Sequence, residues 1–291
     1  MNIIQGELNK MGIPCGDILI LQEKDGVTVA RIVREGQSCV LKCFRREEHK
    51  REIRNYRLLS SLGIPTLRVL SATDSAILLE DIDCSPVYRL GIAEDLSDPE
   101  VARRIAHWYK QLHRLGYSYA SQHGDSLYDE ADYFTLENIA FIKEKTGTCS
   151  APVWRELEEH FDAISRVLKD TRRTLTYNDF YYTNLVVARD HSAALMFDYN
   201  LLGKGYAYAD LRNVTSSLSE EAGKAFLEEY GEFDPNEAVL DAVVSAVVTL
   251  YLACKREQFP SWAQNLLEEL DTTFAEKLER LIHMEEQNGT A

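Results

Sequence analysis

Tyr177-Asn178-Asp179-Phe180-Tyr181-Tyr182-Thr183-Asn184 is followed fourteen residues after Asn184 by Asp198, at the end of the segment ALMFD (194–198). An Asp, an Asn five residues on and a second Asp closing a hairpin supply three groups that phosphoryl transfer needs. One carboxylate orients a hydroxyl and takes its proton, while an amide oxygen and the other carboxylate hold Mg²⁺ against phosphates. Asp179 is therefore the candidate catalytic residue, and Asn184 and Asp198 are the candidate metal ligands. The Asp-x4-Asn spacing taken alone is weak, since it arises by chance and then usually marks a solvated loop. Its weight depends on the surrounding chain.

On either side of the polar turn 189–192, LVVA (185–188) and ALMFD read as a β-hairpin set among helices. Val101, Ile105, Trp108, Leu112 and Leu115 mark one helical face; Val153, Leu157, Phe161, Ile164 and Leu168 mark another. The chain reads helical again beyond Pro235 and ends on a stripe of Leu266, Leu270, Phe274, Leu278 and Leu281. The first 82 residues differ. ILILQEK, VTVARIV and SCVLKCF are punctuated by Asp25-Gly26 and Glu35-Gly36, which predicts three strands joined by two hairpins. A charged helix over 45–62 follows, ending before Gly63-Ile64-Pro65, and then the short strands LRVLSA and AILLEDI. The expected order is β-β-β-α-β-β, with a boundary near residue 82 between a strand-rich part (1–82) and a helical part (83–291).

With 45% hydrophobic and 27% charged residues among 291, the composition is that of a soluble globular chain. The formal net charge of −15 opposes binding to a phosphate backbone, so no nucleic acid partner is expected. Charge is uneven, because 31–57 carries nine Lys or Arg against four Glu. The part of that stretch from Arg45 to Arg57 could steer a nucleotide, although a solvated helix face is the better reading. The six cysteines show no CxxC pair and read as reduced, buried thiols. The N-terminus MNIIQGELNK lacks the pattern of a signal peptide, and the longest uncharged apolar stretch, 242–254, is shorter than a membrane span. A cytoplasmic protein without a membrane partner is expected.

Taken in order along the chain, these features resemble the aminoglycoside phosphotransferase and choline kinase superfamily of small-molecule kinases. Tyr177-Asn178-Asp179 stands where that family has a His-Gly-Asp catalytic loop, Asn184 falls on its metal-binding Asn and Asp198 on its second metal-binding Asp. The resemblance implies that Lys42, in VLKCF, contacts the α and β phosphates and that Glu52 pairs with Lys42. ILLEDI is similar to the hinge, so the Glu80 carbonyl and the Ile82 amide would meet the adenine edge. Gln111-Leu112-His113 resembles a Leu-His near the end of a helix, and Asp210 in YADL would brace the catalytic loop. The resemblance runs from about Ile18 to Val214. It implies an α+β, two-lobed protein-kinase-like fold: a small β-rich N-lobe (1–82) with a five-stranded antiparallel sheet and one helix, and a larger helical C-lobe (83–291). ATP with Mg²⁺ would bind between the lobes, and a hydroxyl of a small molecule would be the acceptor.

The sequence also departs from that pattern. Only Gly26 stands at the first turn, without a Gly-x-Gly-x-x-Gly; Tyr177 and Asn178 replace the His and Gly, and Tyr181 and Tyr182 replace a His-Pro pair. Eleven residues separate Asp198 from Asp210, too few for a peptide-docking segment, so the acceptor is expected to be small. Tyr177, Tyr181, Tyr182, Tyr199, Tyr206 and Tyr208 gather near the site. Their rings could hold an ammonium group or serve in packing. His113 could be imagined as a base, but a packing role suits it better because Asp179 already fills that position. A cationic acceptor, such as an amino alcohol or aminoglycoside, is the favoured class. The alternative from another class is a catalytically silent kinase-like protein that binds nucleotide and regulates.

Overall fold

The structure, a computed structural model, describes residues 3–289 and the side chains through 287. In chain order its elements are α1 (Ile3–Lys10), β1 (Asp17–Lys24), β2 (Val27–Arg34), β3 (Gln37–Phe44), α2 (Glu47–Ser61), β4 (Val69–Ala72), β5 (Ala76–Glu80), β6 (Tyr88–Leu90) and α3 (Pro99–His123). There follow α4 (Leu136–Thr146), α5 (Pro152–Glu159), α6 (Phe161–Asp170), β7 (Thr174–Thr176), β8 (Leu185–Ala188), β9 (Ala194–Met196) and β10 (Gly203–Gly205). The chain closes with α7 (Ala207–Thr215), α8 (Glu220–Tyr230), α9 (Pro235–Cys254), α10 (Gln264–Glu268) and α11 (Ala275–Gly289). Two compact units divide it: 1–119 with 177–202 and 212–231, and 120–176 with 203–211 and 232–291. This cut by compactness differs from the expected 1–82 and 83–291 lobes, which separate strand-rich from helical chain.

In the first unit, β1 to β5 form an antiparallel sheet in the order β1-β2-β3-β5-β4. The two hairpins behave as their turn residues demand: Asp25 and Gly26 have φ of 52° and 83°, Glu35 and Gly36 of 52° and 77°. Positive φ at both central residues matches the twist of the flanking strands. Alternation then assigns the faces. Ala30, Ile32, Leu41, Cys43, Ala76 and Leu78 pack with Ile4 and Leu8 of α1 on one face. Lys42 pairs with Val29 on one side and Ile77 on the other, while Val40 pairs with Arg31 and Leu79, so these residues share the opposite face.

Helix α1 was not expected, and it makes the N-terminal order α-β-β-β-α-β-β. It is eight residues long with Gly6 inside it, and its apolar signal is the single pair Ile4 and Leu8 one turn apart. Buried Glu7 fastens it, accepting hydrogen bonds from Thr73 and, at 3.0 Å, from Ser75 Oγ. The hairpin β8–β9 forms as expected, and β6 adds a third strand to it.

The second unit is built on α9, whose Leu240, Val243, Val244, Val247 and Leu250 pack with Trp154, Leu157, Ile164, Phe274, Leu278 and Leu281. Each such side chain contributes about 1.5–3 kcal/mol on burial. Two sequence expectations change here. The face running from Val153 to Leu168 is carried by two helices, α5 and α6, broken at His160 (φ −100°, ψ 5°). Helix α9 extends 20 residues, long and apolar enough to cross a membrane, because Pro235 at its start and an Asp234 cap lengthen it beyond 242–254. In the folded unit 61% of its most apolar window is buried, as in a core helix. The cysteines are all free, but only Cys43 and Cys254 are buried; Cys15, Cys84 and Cys149 are exposed.

Candidate active site

Lys42 stands near the centre of the site. Its Nζ lies 2.7 Å from Glu52 Oε2 and 2.8 Å from Asp198 Oδ1. Strand β3 aims Lys42 and the first turns of α2 supply Glu52, whose side chain is 1% exposed, while the Asp198 side chain is 35% exposed. Burial alone would lower the Lys42 pKa, but the two carboxylates outweigh it and hold the group above its ordinary value as an ammonium. Burial pushes Glu52 up to about 7, with Lys42 pulling the other way and Asp198 adding to the rise. The Lys42–Glu52 contact is an ion pair and not an aligned hydrogen bond.

Asp179 and Asn184 meet within reach of the Asp198 charge. Asn184 Nδ2 donates to the Asp179 carbonyl and to Asp179 Oδ2, both at 3.1 Å. The short turn Tyr182–Asn184 sets this up, closed by Asn184 N–H donating to the Tyr181 carbonyl at 2.9 Å. Burial first, then the neighbouring Asp198 charge, raise the Asp179 carboxyl to about 6, against the pull of Asn184 and Lys42. Gly91 is required beside this turn, because a Cβ there would stand 2.4 Å from the Tyr182 carbonyl oxygen.

Two residues of the site have left-handed backbones: Asn178 (φ 65°) and Asp198 (φ 61°, ψ 71°). This gives the Asn178 departure its physical account, since Asn is among the few side-chain-bearing residues that tolerate a position otherwise suited to Gly. Its Nδ2 also donates to the Leu201 carbonyl at 3.0 Å. Tyr177 is fully buried, donates its hydroxyl to the Phe197 carbonyl, and stands edge-on to Trp108, Tyr109 and Tyr199 with centroids 5.8, 6.3 and 6.0 Å away. Tyr177 and Tyr199 are thus packing residues, whereas Tyr181 and Tyr182 are exposed. Tyr206 and Tyr208 belong to the second unit. His113 is buried, and its Nδ1 lies 2.8 Å from the Tyr230 hydroxyl, which accounts for it structurally.

Glu80 ends β5, and its Oε1 accepts from Arg68 N–H at 2.7 Å; Ile82 is buried and opens a short 3-10 turn. Sequence reasoning missed what fixes this segment. Arg31 Nε donates to buried Asp81 at 2.6 Å, its Nη2 reaches Asp83, and Ser38 donates to the same Asp81. The signal available was weak, an Arg alternating with valines in β2. Asp210 lies fully buried on α7 in the second unit.

The donor chemistry suits magnesium. Asp198 is reachable from solvent, and Asn184, donating through its nitrogen, keeps its amide oxygen for a cation. Among the described residues no cluster of three or more His, Cys, Asp and Glu could hold a metal. A carboxylate with one amide oxygen is the kind of partial set that Mg²⁺ completes with phosphates and water.

A model of the phosphotransferase enzyme family matches residues 23–243. No curated protein matches the chain in sequence. Among solved structures, choline kinase LicA from Streptococcus pneumoniae is similar with a TM-score of 0.63 at 12% identity, over 96% of this chain and 98% of that one. The ternary complex of streptomycin, ATP and APH(2")-IIa gives 0.61 at 20% identity, over 96% and 98%. Macrolide 2'-phosphotransferase MphH from Brachybacterium faecium gives 0.57 at 16%, over 94% and 99%. These likenesses show the two-lobed, protein-kinase-like α+β fold expected from the sequence.

Proposed function

The chain belongs to the phosphotransferase enzyme family, and on that premise we propose that it is a kinase transferring the terminal phosphoryl group of ATP to a hydroxyl of a small molecule. The observation that carries this is the joining, within one compact unit, of the Lys42–Glu52–Asp198 cluster to the Asp179–Asn184 pair. Asp179 accepts the proton of the acceptor hydroxyl as its oxygen attacks the γ-phosphorus and the bond to the ADP oxygen breaks. Asn184 holds that carboxylate in place. Lys42 presents its charge to the phosphates, and Glu52 keeps Lys42 ionised and oriented. The apolar face formed by Val29, Val40, Ile77 and Leu79 beside Lys42 would receive the adenine ring, with the Glu80 carbonyl and Ile82 amide at its edge. Mg²⁺, held by Asp198 and Asn184, would neutralise the phosphate charge.

The acceptor we favour is cationic, since the chain is acidic and the exposed rings of Tyr181 and Tyr182 stand two and three residues after Asp179. Relatives in fold bear the names of choline kinase and macrolide 2'-phosphotransferase, and another is held in a complex with streptomycin and ATP, which agrees with a small acceptor. A cytoplasmic location fits this use of ATP. The test is magnesium-dependent ADP formation with amino alcohols, aminoglycosides and neutral sugars at two salt concentrations. A cationic acceptor shows a KM that rises with ionic strength. A best acceptor that is neutral and indifferent to salt overturns the cationic class alone, and no turnover with any acceptor overturns the kinase.

A further inference from the structure

Helix α2 carries a polar side chain for which the mechanism above has no use. Asn55 is 7% exposed, in the middle of the helix, where an uncompensated amide would be destabilising. Its Nδ2 donates to the Tyr199 carbonyl at 2.7 Å and lies 3.5 Å from the Leu202 carbonyl. Both acceptors belong to the turn that directly follows Asp198. The Tyr199 carbonyl is shared with Leu202 N–H at 3.2 Å, so the Asn55 bond closes onto the same turn. Tyr56, the next residue of α2, meets the Tyr199 ring edge-on at 4.6 Å.

Asp198 needs such support. Its left-handed backbone is strained for a residue with a Cβ and persists only where the surroundings over-determine it. The Asp198 side chain points where its own φ and ψ send it. The carbonyl that Asn55 holds belongs to the Tyr199–Asn200 peptide, one beyond the peptide that joins Asp198 to Tyr199. Asn178 grips the Leu201 carbonyl of the same turn. One amide from α2 and one from the loop before Asp179 therefore fix the segment that fixes Asp198.

We propose that Asn55 is a positioning residue for Asp198, setting the direction of its carboxylate and hence the protein's grip on the magnesium of the nucleotide complex. It touches neither metal nor substrate. The inference rests on the kinase reading and reaches beyond it to a residue acting through backbone carbonyls. Partners lying behind a metal ligand are worth about 10- to 100-fold in metal affinity or activity.

The experiment measures binding of the imidodiphosphate analogue of ATP by calorimetry across a magnesium titration. It compares wild-type protein, Asn55→Leu (similar volume, no donor) and Asn55→Gln (donor retained), with Arg54→Ala on the exposed side of α2 as a control. The expected result is a magnesium concentration for half-maximal binding raised about tenfold in Asn55→Leu, partly restored in Asn55→Gln and unchanged in Arg54→Ala. Metal-free nucleotide affinity should be the same in all four. Asn55→Ala, which makes no steric demand, takes the place of the leucine variant should that one not fold. A folded donorless variant with wild-type magnesium dependence overturns the positioning role and leaves the kinase standing. A wild-type protein whose nucleotide binding ignores magnesium overturns the metal assignment, and this inference with it.

Discussion

Around Lys42 the first unit buries one ammonium, one carboxylate and the backbone of a strained turn, each held by a specific partner. Around Trp154 the second unit buries hydrocarbon from α5, α6, α9 and α11, and its one indole N–H is satisfied by Thr148 Oγ1 at 3.1 Å. The difference lies in what a neighbour determines. In the apolar cluster a neighbour fixes volume, and any side chain of similar shape serves. In the charged cluster a neighbour fixes protonation and direction, so shape alone does not suffice.

The largest expected effect falls on the apolar side. Trp154→Ala should lower stability by about 4 kcal/mol through the cavity it leaves, read by urea denaturation, with nucleotide affinity of the folded fraction unchanged. An altered affinity would mean that the two units are not separable in this sense.

Lys42→Met should cost about 3 kcal/mol, because it leaves Glu52 buried without its cation. Glu52, already pushed up to about 7, can take a proton and so limit the loss. Adding Glu52→Gln should therefore recover most of the stability but none of the nucleotide binding. If the double variant is no more stable than the single one, the loss was one of packing and the contrast with Trp154 disappears.

Asp179→Asn should lower turnover by about 10²-fold, or about 2.7 kcal/mol of barrier, with nucleotide affinity nearly intact. Its sign on stability is the opposite. The Asp179 carboxyl is raised from 3.8 to about 6 in the folded protein, so its contribution to stability is full below the unfolded value and is lost as pH climbs through about 6. The Asn variant should be the more stable protein at pH 7, with the gap closing toward pH 4, while wild-type kcat/KM rises with pH through about 6. A wild-type profile flat across that window would remove Asp179 as the base.

Legibility in the sequence followed the same divide between local and distant causes. The β1–β2 and β2–β3 hairpins could be read because Asp25-Gly26 and Glu35-Gly36 state their backbone conformation locally. Asp179, Asn184 and Asp198 could be read because their chemistry is uncommon as an ordered set. Strands β6, β7 and β10, three residues each, could not be, since pairing defines them and no internal pattern does. The Arg31–Asp81 tether spans 50 residues of sequence, and the Asn55 bond to the Tyr199 carbonyl spans 144. On a helix as polar as α2, one more Asn reads as surface.

The left-handed backbone at Asn178 has a consequence for how this loop can vary in descent. A Cβ disfavours that backbone, although Asp25, Glu35, His191 and Asp198 adopt it in this same chain, so glycine and asparagine are the favoured rather than the only occupants of 178. The two are not equivalent: glycine keeps the turn and forfeits the amide that reaches the Leu201 carbonyl. A descendant that drifted to glycine would carry Asp198 on a looser segment, and selection would have to compensate elsewhere, with α2 the nearest place to look.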